Sequence, residues 1–193
     1  IFKYIKTYLM KIKRLFLLFL LLFSPLLFQP LKAADFNDLF SAAMFGKTER
    51  VKSLLADGID VNGKTVTGRT AMMAASFSGN IRVTRVLLAY GANVNYADKQ
   101  GTTALMDAVV FGSEELVKLL ITSGADVAAE DKQNITVIEK AKKTQYNNIV
   151  KILEKSIAAK EEEKAKHKKI AEEAAKQAEN SEEKTTETKE EKE

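Results

Sequence analysis

A spacing of 33 residues recurs through the middle of the chain and limits the possible folds more than any other feature. Glycine, leucine, threonine and alanine each return at this interval, so chance is a poor explanation. The columns are Gly46, Gly79 and Gly112; Gly58, Gly91 and Gly124; Gly68 and Gly101; Leu54, Leu87, Leu120 and Leu153; Leu39, Met72, Leu105 and Ile138; Thr70, Thr103 and Thr136; and Ala42, Ala75, Ala108 and Ala141. Because a fixed period of this length is typical of repeat architectures, the sequence predicts a solenoid of stacked, similar units.

The unit that starts near Gly101 shows what one repeat contains. Thr103 is placed to cap a first helix, because its hydroxyl can accept a hydrogen bond from an unpaired backbone N–H. Gly112 ends that helix, since glycine adopts the left-handed conformation without steric cost. Ser113 can then cap a second helix, which ends at Gly124. Each unit is therefore predicted to contain two helices followed by an extended finger.

Two motifs in these units, Gly-x-Thr-Ala-Leu/Met-Met-x-Ala and Leu-Leu-x-x-Gly-Ala-x-Val-Asn, resemble the ankyrin repeat. The resemblance implies an all-α repeat solenoid at residues 34–156, in which each repeat is a helix-turn-helix with a β-hairpin finger. About four repeats are expected, at residues 36–64, 65–97, 98–130 and 131–156. The first lacks its front finger, and the last has Asn134 and Gln145 where the pattern has glycine.

Apolar side chains at helical spacing are expected to form a core that neighbouring units share. A single unit of this kind cannot bury its apolar face alone, so stacking must supply the core. The leucines assigned to this core are Leu54, Leu55, Leu87, Leu88, Leu116, Leu119 and Leu120.

The resemblance also implies a protein-binding module whose partner contacts the fingers and the first helix of each repeat. The corresponding positions in this chain are Met44, Phe45, Val66, Arg69, Phe77, Lys99, Gln100, Val110 and Phe111. Three successive units place large apolar side chains just before the helix-ending glycine, which predicts an apolar stripe that binds a partner. The alternative is that these side chains only pack under the next finger.

Basic side chains follow the fingers at nearly the same interval. They are Lys64, Arg69, Lys99 and Lys132. Such a series would complement an acidic partner, and the alternative is that these residues are ordinary solvated fingertips.

Composition excludes several classes of catalytic and metal site. The chain has no Cys, so thiol catalysis, disulfides and Cys-ligated metals are excluded, and its single His excludes a multi-His metal site. That residue, His167, lies in a charged run, and no glycine-rich phosphate loop is present. We therefore predict a protein that is not an enzyme and that has no metal or cofactor.

The first 33 residues have the layout of a secretory signal peptide. A basic stretch precedes the apolar run at residues 15–23, and small residues follow, with cleavage expected after Ala33. The chain begins with Ile1, and we expect translation to start at Met10. The alternative is an uncleaved inner-membrane anchor at residues 15–28, although this apolar stretch is short for a bilayer span. An exported protein, periplasmic or secreted, is predicted, with membrane contact only through this segment.

Net charge gives no support for nucleic-acid binding, although the whole chain carries +4. Residues 1–33 contain six Lys and Arg and no acid, so residues 34–193 keep 24 basic and 26 acidic side chains. The basic excess therefore belongs to the segment expected to be removed, and we predict no nucleic-acid partner.

From residue 157 the composition changes to Lys, Glu and Ala, with 9 Lys and 12 Glu up to residue 193. Helix propensity favours a charged C-terminal helix at residues 156–178, whereas residues 179–193 are expected to be disordered. A solvated extension, a spacer and a weak electrostatic contact all remain open for this tail.

Together these features predict a monomer that binds another protein without catalysis, as a periplasmic adaptor or protector. The alternatives are a secreted protein that binds a host protein, and a structural spacer of the envelope. The adaptor role follows from analogy with the family and not from individual residues.

Overall fold

The computed structural model describes the backbone of residues 35–190 and the side chains of residues 35–173. This part of the chain forms eight helices. They are α1 (Phe36–Met44), α2 (Thr48–Ala56), α3 (Ala71–Phe77), α4 (Ile81–Ala89), α5 (Ala104–Phe111), α6 (Glu114–Thr122), α7 (Val137–Lys142) and α8 (Asn147–Glu190). None of the helices in this described part is long and apolar enough to cross a membrane. The predicted signal peptide at residues 1–33 lies outside the described residues.

Threonine starts a helix at the same position in three successive units, as predicted. The hydroxyl of Thr103 accepts a hydrogen bond from the backbone N–H of Met106 at 3.4 Å, and Thr70 caps α3 in the same way. Thr136 caps α7 and forms a reciprocal pair with Glu139, whose carboxylate accepts the N–H of Thr136 at 2.8 Å. The repeated threonine therefore sets the start of the first helix in the second, third and fourth units, whereas Asp35 caps α1.

The helices stack in two rows, which confirms an all-α repeat solenoid. The inner row consists of α1, α3, α5 and α7, each packed against the next, and the outer helices follow them in the chain. Outer helix α2 packs on α4, and α6 packs on the first part of α8. The inner helices contact one another more extensively than the outer ones do.

The sequence columns with a spacing of 33 form the core between these rows. Leu54, Leu87, Leu120 and Leu153 are completely buried, and the alanine column is buried in all four units. Of the seven leucines predicted for the core, Leu88 and Leu119 are only half-buried, because they lie toward the edge of their outer helices. The core is thus a series of like layers, each shared by two units.

The predicted fingers are present as short antiparallel turns: within residues 35–190, two of them have one isolated antiparallel bridge each, between Ala97 and Thr103 and between Glu130 and Thr136. The carboxylate of Asp98 accepts the N–H groups of Gln100 and Thr102 at 2.8 and 2.9 Å. The N–H of Lys99 donates to the carbonyl of Thr67 in the preceding finger at 3.1 Å. Because these backbone donors bond to a side chain or to the neighbouring finger, no hairpin ladder of successive bridges forms.

Hydrogen bonds that repeat along the solenoid tie adjacent fingers together. The N–H of Lys132 donates to the carbonyl of Gln100 at 2.9 Å, one unit after the bond between Lys99 and Thr67. Asn134 stands where earlier fingers have glycine and adopts a φ of 57°, which asparagine tolerates better than most residues. The closing repeat therefore keeps the finger geometry without its glycine.

The glycine at the end of an inner helix is covered by a side chain from the next unit. The ring of Phe111 lies directly on Gly79, and the ring of Tyr146 lies on Gly112. At Gly46 the cover is Asn80, whose amide donates to two carbonyl groups at the end of α1, both at 3.1 Å. These glycines therefore allow a close approach between units as well as a left-handed turn.

The C-terminal tail differs from the prediction, because its helix continues beyond the predicted end at residue 178. Helix α8 runs to Glu190, into the segment expected to be disordered. Residues 157–193 contain neither Gly nor Pro, so nothing in the sequence stops a helix that the closing repeat has already started. Its first part is anchored by the buried side chains of Ile149 and Leu153, whereas residues 158–173 are exposed on all sides.

Replacing Gly79 by alanine is predicted to destabilise the fold more than the same change at Gly91. Both have positive φ, 67° and 80°, which costs alanine about 1–2 kcal/mol. At Gly79 the new methyl group also meets the Phe111 ring, whereas at Gly91 it meets nothing within 4 Å. We expect Gly79→Ala to lower the free energy of unfolding by at least about 1 kcal/mol more. Urea unfolding of both variants measures this, and equal losses would contradict it.

Candidate functional site

Large apolar side chains are exposed at the ends of successive inner helices. We define the inner-helix row as Met44, Phe77, Val110 and Lys143, which occupy the same position in four units. Phe77 is 52% exposed and Val110 is 54% exposed, whereas Met44 is half-buried and accepts a contact from the Ser78 hydroxyl at 3.0 Å. The row becomes polar at its last member, Lys143.

The adjacent helix-end position differs between the units. Phe45 is 73% exposed, with the ammonium group of Lys47 5.8 Å from the centre of its ring. Phe111 is also partly exposed, but one side of its ring covers Gly79. Phe45 is therefore a surface group, for which partner binding stays a prediction, whereas Phe111 packs between units.

The tips of the fingers form a second exposed series. We define the fingertip row as Val66, Lys99 and Lys132, which share one position in three units. Val66 is 86% exposed, and Lys99, Gln100 and Lys132 are exposed as well. The bonds between adjacent fingers hold this row along the same side of the solenoid as the start of the inner helices.

Arg69 connects the fingers to the inner helices. Its guanidinium group donates to Asp107 on α5 at 2.6 Å and to Asp98 in the next finger at 3.4 Å. The same group lies over the ring of Phe77, 5.8 Å from its centre. In the structure the charge of Arg69 is paired with two carboxylates of the following unit, and its predicted contact with a partner stays a prediction.

A similar pair holds the last finger, one unit further along. Lys140 on α7 donates to Asp131 at 2.6 Å, and Asp131 also accepts the N–H groups of Gln133 and Ile135 at 2.9 and 3.0 Å. Asp131 is buried, and both of its carboxylate oxygens accept from these donors. Its pKa is lowered, first by the hydrogen bond from Lys140 and then by the backbone donors.

Asp107 behaves differently although it also has a cationic partner. Only 6% of its surface is exposed, and burial raises the pKa of its carboxyl group to about 6, against the opposing attraction of Arg69. The pKa of Asp107 is therefore raised and the pKa of Asp131 is lowered relative to an ordinary aspartate. Both serve as internal acceptors in this structure.

Sequence analysis missed this charge network, although a signal was present. Asp107 and Lys140 occupy the same column, which is Ala74 in the preceding unit, and Asp107 is the only charged residue of the otherwise apolar α5. The pairing partners are 38 residues apart in the case of Arg69 and Asp107, so their contact depends on how the units stack.

The structure therefore places the predicted site residues in three groups. Phe45, Phe77 and Val110 are exposed at inner-helix ends, and Val66, Lys99 and Gln100 are exposed on the fingers. Met44, Arg69 and Phe111 are engaged mainly with neighbouring units. Partner binding by any of these residues stays a prediction. Within the described side chains, no group of three or more His, Cys, Asp or Glu is arranged to hold a metal ion.

Residues 39–131 match a family model described as ankyrin repeats, in three copies. None of the curated proteins matches the chain.

We predict that Asp107→Asn changes the pH dependence of stability. Because the folded pKa of about 6 lies well above the ordinary pKa of an aspartate carboxyl group, the native state holds this proton more strongly than the unfolded state. The contribution of Asp107 to the free energy of unfolding is therefore largest below pH 4. It falls as pH rises to about 6, by on the order of 2 kcal/mol. Urea unfolding of both proteins from pH 3 to 7 measures the difference.

Asp131→Asn is the matched control, with the opposite sign. The lowered pKa of Asp131 means that its contribution is present above pH 4 and is lost as pH falls further. A difference between the wild type and Asp107→Asn that stays constant from pH 4 to 6 would contradict the prediction.

Proposed function

We propose, from the premise that this chain is an ankyrin-repeat protein, that it binds another protein through the fingers and inner-helix ends and catalyses no reaction. Ankyrin repeats generally mediate binding to other proteins, and the family is generally non-catalytic. The observation that carries the choice of surface is the exposure of Phe45, Phe77 and Val110 in three successive units.

The energetic reason for this choice is the solvent exposure of large apolar groups. Aromatic side chains contribute a large share of binding energy at protein interfaces, and clustered exposed apolar groups mark interaction sites. Phe77 and Val110 occupy equivalent positions of α3 and α5, which pack directly on one another, so a single partner segment can contact both. Phe45 is more exposed than either and offers the largest area for burial.

The non-catalytic part of the proposal rests on how the acidic groups are used. Asp98, Asp107 and Asp131 are engaged by backbone N–H groups or by Arg69 and Lys140. A general acid or base needs a carboxyl group that faces a substrate. Acids in these positions instead hold the fingers to the helices.

We further propose that the protein is exported and acts as a periplasmic adaptor or protector of its partner, the secreted host-directed role being the alternative. The support is the basic stretch, the apolar run and the small residues at residues 1–33. An envelope spacer is the second candidate function. The observation that favours it is the length of α8, whose 44 residues correspond to about 66 Å of helix and whose residues 158–173 are exposed.

We predict that Phe45→Ser with Phe77→Ser abolishes capture of a specific partner. The full chain serves as bait in cross-linked bacterial envelope extract, and captured proteins are identified by mass spectrometry. Two serines remove the apolar groups that a partner would bury, so a protein captured by the wild type should be lost by more than about tenfold. The control is Tyr90→Ser, which removes an aromatic side chain of similar exposure at the end of outer helix α4.

Equal capture by the wild type and the double variant would reject this surface. Loss of capture by Tyr90→Ser as well would indicate a general defect, which the urea midpoints of all three proteins identify. If the protein is instead a spacer, the double variant should function normally in cells, whereas a chain that lacks residues 158–193 should not.

Export makes a separate prediction about the mature N-terminus. A C-terminally tagged chain expressed from Met10 should appear in the periplasmic fraction or the medium, and sequencing should find Ala34 first. Full-length chain in the membrane fraction would support the anchor alternative, and full-length chain in the cytoplasm would reject export.

A further inference from the structure

Three acidic residues of the fingers and inner helices form hydrogen bonds or ion pairs within the protein. Asp98 accepts two backbone N–H groups and Arg69, Asp107 accepts Arg69, and Asp131 accepts two N–H groups and Lys140. A carboxylate held in this way is compensated locally and has little capacity left for a further cation. These acids therefore contribute little negative charge to an approaching molecule.

The lysines on the same surface are free by comparison. Lys99, Lys132 and Lys143 are exposed, and none of them forms an ion pair with any residue whose side chain the structure describes. The ammonium group of Lys64 lies over the ring of Tyr96, 3.9 Å from its centre, and this contact leaves its positive charge unneutralised. Two exposed acids offset part of this charge: Glu130 on the fingers and Glu139 on α7, which lies within the electrostatic influence of Lys143. The accessible charge is positive overall.

Both rows change from apolar to basic side chains in the same direction along the solenoid. The fingertip row goes from Val66 to Lys99 and Lys132, and the inner-helix row goes from Phe77 and Val110 to Lys143. The second unit therefore presents apolar groups, the third presents both Val110 and Lys99, and the fourth presents the ammonium groups of Lys132 and Lys143. This order is a property of the stacked units, because neighbouring members of each row belong to neighbouring repeats.

We infer that the partner is a protein segment with apolar anchors at one end and acidic residues at the other, its apolar end lying over the first repeats. The inference rests on the proposed function and names the chemistry of the partner. Complementary charge fixes the register and direction of a bound segment, while buried apolar groups supply most of the affinity. Inner helices about 8–10 Å apart place the acidic block one or two repeats, or about 10–20 Å, from the apolar block.

A peptide selection tests the inference with a defined probe. The purified full chain is used to pan a displayed library of random 16-residue peptides, and the selected peptides are sequenced. We expect an apolar cluster and an acidic cluster, separated along the peptide and in a constant order. Lys99→Glu with Lys132→Glu should remove the acidic enrichment and keep the apolar one, and should weaken a selected peptide by about tenfold at low salt.

The matched control is Lys151→Glu with Lys155→Glu, which changes net charge equally at exposed positions of α8. This control should bind the selected peptide within about twofold of the wild type. The Phe45→Ser and Phe77→Ser variant should lose the apolar enrichment.

The outcomes separate this inference from the proposed function. One outcome would overturn the inference but not the proposed function: selected peptides that are apolar and lack acidic residues, fail to bind the phenylalanine variant and still bind the Lys99→Glu and Lys132→Glu variant. Peptides that bind all variants equally would overturn both. A single-stranded oligonucleotide that binds the wild type, fails to bind the lysine variant and still binds the phenylalanine variant would identify a polyanion site and overturn the inference.

Discussion

Burial of one repeat against the next is the interaction on which the rest of this structure depends. A pair of short helices exposes an apolar face that only a neighbouring pair can cover, so no unit is stable alone. Leu54, Leu87, Leu120 and Leu153 form one fully buried series through all four units. The solenoid exists because identical spacing in the sequence lets the same layer be built repeatedly.

Close stacking also explains where polar groups are placed. Inner helices approach so closely that Gly79 and Gly112 each lie under an aromatic ring from the next unit. The finger carbonyls bond to the next finger, and Arg69 reaches two carboxylates of the following repeat. Each of these contacts joins adjacent units, so the polar network and the apolar core both follow the solenoid axis. Side chains not needed for stacking, such as Phe45 and Lys99, remain exposed.

The repeat spacing was sufficient to predict the architecture because it can be read from the sequence without knowing which side chains meet across the stacked units. The caps at Thr103 and Ser113, the helix end at Gly112 and the leucine column all follow from neighbours within a few residues or from the repeat spacing. The pairing of Arg69 with Asp107 could not be predicted, since it depends on which side chains meet across stacked units. For the same reason sequence did not distinguish exposed Phe45 from Phe111, which covers a glycine of the preceding repeat. The end of α8 was misplaced because composition alone does not show that a helix already started by packing continues.

The closing repeat and the tail share one uninterrupted helix, and this gives the tail mechanical leverage on the domain. Ile149 and Leu153 anchor the first turns of α8 in the last layer, and the same helix then continues with the side chains of residues 158–173 exposed. Tension applied at its far end is transmitted along the helix to this layer before any other. The layer is backed by α7, a helix of only six residues, so the domain would peel open from its last repeat while the first repeats stay stacked.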